Sequence, residues 1–338
     1  MSRIRIPDFS APFPLACNPH VPDASRIMWE WIDSHGLAPT PKARARMRKT
    51  GADLSGGYVW PRAGLSVLAL GLKWLALTFR LDDQLDEDTV GGRPAALSQC
   101  IEELCGILHG HPAPPSPVAD ALHELWAETR ADAPTSWQHA FVADFEAFLR
   151  AYALEAELKE AGQNPTLEEY LAWRIYSIGM PWLWVLDELG LPLFLPDSVR
   201  TCGPMGMLRR AGSLHIALVN DVFSVEREST VGYPYNAVLL IMQERECPMQ
   251  TAVDHIAELV AEQAETVKRL LANDIPAELH EQQIPANVRT VALQHCENIA
   301  LNLRGQLAWH TAVDRYTTSD LQGQWAGSYP DDLLRQTD

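Results

Sequence analysis

The sequence predicts an all-α fold in a single domain, on three observations. Apolar residues recur at helical spacing along most of the 338-residue chain. No run of alternating β-branched residues reads as a strand. At 47% hydrophobic with 11 Trp, the chain can fill one large core, and no internal repeat or compositional seam divides it. The expectation is one domain over 1–338, with 1–22 as an N-terminal segment and 317–338 as a polar tail.

The elements follow in order. A first helix over 25–35 carries Ile27, Met28, Trp31 and Ile32 on one face. The basic run from Lys42 through Arg46 to Lys49 reads as a solvated helix face, with contact to acidic partners as the alternative. Residues 63–81 form a very apolar helix. Lys73 interrupts it and it falls short of the about 20 residues a bilayer span needs, so a buried helix is expected and not a membrane anchor. Residues 95–109, 118–129 and 136–158 are amphipathic helices, and the Pro-rich run at 111–117 must be a loop. Thr166 with Glu169 makes a capping box for a helix through Tyr170, Trp173 and Arg174. Residues 177–181 interrupt it, with a kink expected at Pro181, and the helix continues over 182–189. Helices at 199–228, 234–244, 249–273 and 285–311 and a short C-terminal piece complete the chain.

Charge and cysteine usage narrow the function. A net charge of -17 argues against non-specific nucleic-acid binding and for a soluble protein. The N-terminus lacks a signal-type apolar stretch. The six Cys show no CxxC spacing, so reduced thiols in the cytoplasm are expected. The 11 His have no HExxH spacing; there is no Gly-x-Ser-x-Gly elbow and no phosphate-cradling Gly-rich loop.

Two polar clusters stand out on this apolar background. The first is Asp82-Asp83-Gln84-Leu85-Asp86-Glu87-Asp88, where the most apolar helix ends. Asp82 and Asp86 share a helix face, and Asp83 and Glu87 make a neighbouring pair. Carboxylates at a helix C-terminus oppose the macrodipole, so the cluster needs compensation that a bound cation would supply. A solvated acidic helix end is the plain alternative. The second cluster places Asn220, Ser224 and Glu228 at i, i+4 and i+8, advancing about 40° per step, so that all three point roughly one way. Arg227 lies near the same face. An amide oxygen, a hydroxyl and a carboxylate suit a hard cation, and a neighbouring Arg suggests a bridging anion.

Together these motifs resemble those of the bacterial class I terpene synthases. That family pairs an aspartate-rich motif with an Asn-Asp-x-x-Ser-x-x-(Lys/Arg)-Glu motif, here Asn220 to Glu228. A diphosphate-sensing Arg falls at Arg174, and a helix-break carbonyl at Ile178. A C-terminal Arg-Tyr pair falls at Arg315-Tyr316, after Trp309. Pro12-Phe13-Pro14 and Asn18-Pro19-His20 also look like the family, so the likeness spans nearly the whole chain. Within the family the likeness is to sesquiterpene synthases of the hedycaryol type, carried by residues 58–61, 177–184 and 220–228.

The resemblance implies a helical bundle around a central apolar cavity, with the N-terminal segment over the site. It implies three Mg²⁺ held by Asp82, with Asp86 or Glu87, and by Asn220, Ser224 and Glu228. Arg174, Arg227, Arg315 and Tyr316 would grip a diphosphate. The implied substrate is farnesyl diphosphate, cyclised to a C15 hydrocarbon or alcohol. Geranyl or geranylgeranyl diphosphate, chain elongation and a non-catalytic helical module are the rivals. A homodimer is compatible with the reading. Phe79 and Trp309 are the leading candidates to line the cavity, followed by Trp182, Trp184, Tyr58 and Trp60; ring faces attract cations.

Overall fold

A computed structural model of the chain describes residues 4–85, 94–313, 325, 327–330 and 332–333. Among them every regular element is helical. Local chemistry sets most of the starts. Helix α1 (Val21–Ser34) opens on Pro22, whose missing N–H costs nothing in a first turn. Thr40 caps α2 (Pro41–Lys49) by accepting from the Ala43 amide at 3.1 Å. The short α3 (Ala52–Val59) follows Gly51, and α4 (Leu65–Leu85) follows it. Helix α5 (Pro94–Leu108) comes next; Ser116 then caps α6 (Pro117–Arg130), accepting from the Ala119 amide at 3.0 Å. The long α7 (Thr135–Glu160) leads to α8 (Leu167–Ser177), which carries the Thr166–Glu169 capping box read from the sequence.

Helix α9 (Met180–Asp187) and the four-residue α10 (Asp197–Arg200) precede α11 (Gly203–Val231). Asn236 caps α12 (Ala237–Arg245) by accepting from the Val238 amide at 2.8 Å. Helix α13 (Met249–Arg269) loosens into a π-type turn over Leu270–Asp274 and passes into α14 (Ile275–Glu281). Pro276 cannot donate to the helical ladder, which accounts for the turn just ahead of it. The last helix is α15 (Ala286–Ala312).

Helix α11 packs against α8, α12, α13 and α15, and α7 packs against α5, α8 and α9. Most tryptophans fill the core between them. Trp74 meets Phe141 and Phe145 edge-on at 5.0 Å, and Trp126 and Trp137 stack on Phe141 at 5.4 Å. Their indole N–H groups are bonded: Trp74 to Thr129 Oγ1 (2.8 Å), Trp126 to the Leu108 carbonyl (3.0 Å), Trp137 to the Val185 carbonyl (2.9 Å).

Several expectations need correction. Residues 199–228 are two helices, because Pro204 starts a new one in its first turn. The chain does not kink at Pro181. The interruption falls inside the expected segment, two residues earlier at Gly179 (φ 80°), and Pro181 sits harmlessly in the first turn of α9. Helix α3, too short and Gly-rich to show a period, had no sequence signal. The basic run is not wholly solvated: Arg46 is 4% exposed and its Nε lies 2.9 Å from Asp83 Oδ2. No helix among the described residues is long and apolar enough to cross a membrane.

Candidate active site

A cavity of about 180 Å³ opens among α4, α7, α8, α9, α11 and α15. Helical period decides which side chains reach it. On α4, Leu75, Thr78, Phe79 and Asp82 fall at i, i+3, i+4 and i+7 and line the wall together. Asp83, one residue on, turns away. It is 3% exposed and is held by Arg46 and by Tyr329, whose hydroxyl donates to Oδ2 at 3.2 Å. The two neighbouring aspartates therefore have different roles: Asp82 faces the cavity and Asp83 anchors the helix.

On α7, Phe148, Tyr152 and Glu155 repeat the same period. The Tyr152 hydroxyl donates to Asp82 Oδ1 at 2.8 Å, and the Tyr233 hydroxyl donates to Glu155. Burial raises the Glu155 carboxyl to about 7; Tyr233 and Arg174 oppose the rise, and Asp82 and Glu228 add to it.

The opposite wall belongs to α11. Asn220, Asp221, Ser224, Arg227 and Glu228 all border the cavity. Arg174, from α8, binds across to them. Its Nη2 donates to Asn220 Oδ1 and to Asp221 Oδ1, both at 2.8 Å, and its Nη1 donates to Ser177 Oγ at 3.1 Å. Burial works against the guanidinium charge, but Asp221, Tyr170, Tyr233 and Glu228 outweigh it and hold Arg174 well above its usual range. Asp221 also accepts from the Tyr170 hydroxyl at 2.8 Å and from the Ala237 amide at 3.0 Å. Both of its oxygens are thus engaged by the scaffold, and Asn220, Ser224 and Glu228 bring the other side-chain oxygens of this wall to the cavity.

Asn236 ties that donor set together. Its Nδ2 donates to the Asp221 carbonyl (2.7 Å), to Glu228 Oε2 (2.8 Å) and, more weakly, toward Ser224 Oγ (3.4 Å). Burial raises the Glu228 carboxyl, with Asp221 adding and Asn236, Arg227 and Arg174 opposing.

The donor chemistry fits a hard divalent cation. Amide, hydroxyl and carboxylate oxygens from α11 face the Asp82 carboxylate across one cavity. No cluster of three His, Cys, Asp or Glu side chains competes with it among the described residues.

The rest of the lining is largely apolar and aromatic. Phe79 and Trp309 lie 6.1 Å apart between ring centroids, and Phe148, Ile178, Met180, Trp182, Leu183 and Ile216 continue the wall. Trp309 is fixed from behind: its Nε1 donates to the Gly51 carbonyl at 3.1 Å. Gly51 has φ 59°, and a Cβ there would stand 2.7 Å from Val313 Cγ1, so only glycine fits. Gly179, in the break between α8 and α9, places Ile178 at the cavity.

Phe79, Asp82, Arg174, Ile178, Asn220, Ser224, Arg227, Glu228 and Trp309 thus meet in one place. Asp86, Glu87, Arg315 and Tyr316 lie outside the described residues. Of the weaker aromatic candidates, Trp182 lines the cavity, whereas Trp184, Tyr58 and Trp60 do not. Trp184 donates to Ser213 Oγ in the core, Trp60 packs on Gly71, and Tyr58 packs on Gly305. Sequence reasoning missed Tyr152, Glu155, Tyr233, Asn236, Gln306 and His310. The period of α7 could have exposed the first two, and the cap position could have exposed Asn236.

The family model "Terpene synthase family 2, C-terminal metal binding" matches residues 73–266, more than half of the chain and both polar motifs. The chain belongs to the terpene synthase family. This terpene synthase is 57% identical to (2Z,6E)-hedycaryol synthase of Kitasatospora setae, over 95% of each chain. It is 28% identical to pristinol synthase of Streptomyces pristinaespiralis, over 90% of this chain and 83% of the relative. It also superimposes on a solved structure of hedycaryol synthase in complex with nerolidol. The TM-score is 0.83 at 54% identity, covering 90% of this chain and 100% of that one. The metal-binding description of the family agrees with the hard-oxygen donors on the two facing walls.

Proposed function

We propose that this terpene synthase is a class I sesquiterpene synthase that ionises farnesyl diphosphate and cyclises the C15 chain. The observation that carries the reading is the facing arrangement of Asp82 on α4 and Asn220, Ser224 and Glu228 on α11, with an aromatic pocket between them. The 57% identity to a hedycaryol synthase supports a C15 substrate.

Asp82, Asn220, Ser224 and Glu228 would hold Mg²⁺, three ions in this reading, with Asp86 or Glu87 as a further ligand. Bound Mg²⁺ stabilises negative charge on the departing diphosphate. Arg174 and Arg227 bind the diphosphate oxygens from the α11 side, with Arg315 and Tyr316 assigned the same task. Arg174 already bridges Asn220 and Asp221, so it registers the anion against the metal ligands. As the allylic C–O bond breaks, fixed cations aimed at the leaving oxygens lower the barrier more than they would in water.

The carbocation that remains needs a dry, electron-rich enclosure. Phe79, Trp309, Trp182 and Phe148 supply ring faces. The Ile178 carbonyl, ahead of left-handed Gly179, adds a dipole at the helix break. The six cysteines are all free, which suits a reducing compartment such as the cytoplasm.

Incubation with geranyl, farnesyl and geranylgeranyl diphosphate plus Mg²⁺, read by gas chromatography and mass spectrometry, tests the proposal. A cyclic C15 product from the farnesyl substrate is expected. Cyclic products from only the C10 or C20 substrate would reassign the chain length, and no product from any of them would overturn the cyclase reading.

A further inference from the structure

A buried polar stripe runs along α15: His295, Asn298, Asn302, Gln306 and His310, each 5% exposed or less. The steps of three or four residues keep them on one side of the helix. Four of the five are engaged. His295 Nδ1 lies 2.8 Å from Asp187 Oδ2. Asn298 Nδ2 donates to Asp187 at 3.1 Å, and its Oδ1 accepts from Arg62 at 3.4 Å. Gln306 Nε2 reaches toward Ser55 Oγ at 3.4 Å. His310 Nδ1 donates to the Gln306 carbonyl at 2.7 Å, and its Nε2 accepts from Asn220 at 3.2 Å. Asn302 differs from them. It is 0% exposed, and neither its amide nitrogen nor its carbonyl oxygen meets a hydrogen-bond partner among the described residues.

An unmet buried amide is costly, whereas an apolar side chain of similar size would carry no such penalty there. The natural partner for such a group is an internal water, which takes two to four polar contacts. Asn302 lies one helical turn from Gln306, whose side chain lines the cavity together with Ser55. Asn302 is not itself in the lining; a water on it would lie behind Gln306, one helical turn along a polar column. That column rises through Gln306 and His310 to Asn220 of the second motif.

We propose that Asn302 is a positioning residue: it holds an internal water beside the cavity and directs it to the carbocation, so that the product is an alcohol. This rests on the cyclase reading above. In the step, a lone pair of the water oxygen forms a C–O bond to the cationic carbon. The resulting oxonium loses one proton to an oxygen of the diphosphate released at ionisation. Water is consumed and neither oxidant nor reductant is needed. Of the buried side-chain amides on α15, only Asn302 has both polar atoms unmet among the described residues.

The test uses the full-length protein with Asn302→Leu and Asn302→Ser, a farnesyl diphosphate assay and a high-resolution crystal structure. Leu removes both polar atoms while keeping volume; Ser keeps a hydroxyl that can hold water. The Leu variant is expected to lower the alcohol-to-hydrocarbon ratio about tenfold, the partition change of one lost hydrogen bond. The Ser variant is expected to keep the ratio within about twofold of wild type. The crystal structure is expected to show a water bonded to Asn302. An unchanged ratio in the Leu variant, or hydrocarbons alone from wild type, overturns the proposal while leaving the cyclase reading intact. Should the Leu variant fail to fold, or should wild type not turn over the farnesyl substrate, the crystal structure decides. Asn302 bonded to a protein group, with no water, would overturn the proposal independently of turnover.

Discussion

At Asn236 one side chain does three things: it caps α12, holds Glu228 Oε2, and satisfies the Asp221 carbonyl. Asn236→Ala removes all three at a fully buried position. We expect a stability loss of about 1–3 kcal/mol in thermal or denaturant unfolding. The metal concentration for half-maximal activity should rise as well, because Ser224 and Glu228 lose their shared support; an unshifted metal titration would count against that role. Buried His215 makes a second residue-scale case. Its Nε2 donates to the Ser10 carbonyl at 2.8 Å, and burial lowers its pKa from 6.5 to about 4 despite that bond. The unfolded chain then binds more protons than the folded one between those values. The stability is fully present above pH 6.5 and is lost as pH falls toward about 4, by about 3 kcal/mol in all. Unfolding of wild type and His215→Gln at pH 7 and pH 4.5 checks this: wild type should lose more on acidification, and equal losses would refute the assignment.

At the scale of elements, the break between α8 and α9 is the sharpest feature. Gly179 holds φ 80°, and a Cβ there would stand 3.2 Å from Trp182 Nε1. Gly179→Ala therefore combines left-handed strain, about 1 kcal/mol or more, with pressure on a cavity-lining ring. A lower melting temperature and an altered product profile are expected; an unchanged profile would mean that the break does not shape the cavity. The break also shows the reach of sequence reading. Pro181 announced an interruption, and of the two residues only Gly179 can take the left-handed dihedral, because the proline ring fixes φ near about −65°. Helices with strong periods, such as α1 and α13, were legible within a few residues. The facing of α4 and α11 was legible through the family resemblance, carried by Asp82 and by the helical spacing of Asn220, Ser224 and Glu228. The opposite fates of Asp82 and Asp83 were not. They depend on Arg46 and Tyr329, partners distant in sequence that no local pattern reveals.

Across the whole molecule, the C-terminal segment braces the helix that presents Asp82. Arg80, 0% exposed, donates to both oxygens of Asp332 at 3.0 and 2.8 Å and to the Leu37 carbonyl at 2.8 Å. Its guanidinium stacks 4.0 Å from the Tyr329 ring centroid, and Gln84 donates to the Pro330 carbonyl at 2.9 Å. Asp332→Ala would leave Arg80 buried without its carboxylate, a loss of about 3–5 kcal/mol. Denaturant unfolding should register that loss, and a change below about 1 kcal/mol would show the brace to be dispensable. The N-terminal segment braces the other motif, with the Ile4 amide donating to Glu226 at 2.8 Å and Phe9 packed on Phe223. Both chain ends thus support the two walls whose cooperation is the central claim. Its most direct test is the rate of diphosphate release from farnesyl diphosphate across a Mg²⁺ titration, for wild type, Asp82→Ala and Asn220→Ala. Mg²⁺-dependent release by wild type and at least an about 100-fold loss in each folded variant are expected. Wild-type rates in either variant would contradict the account.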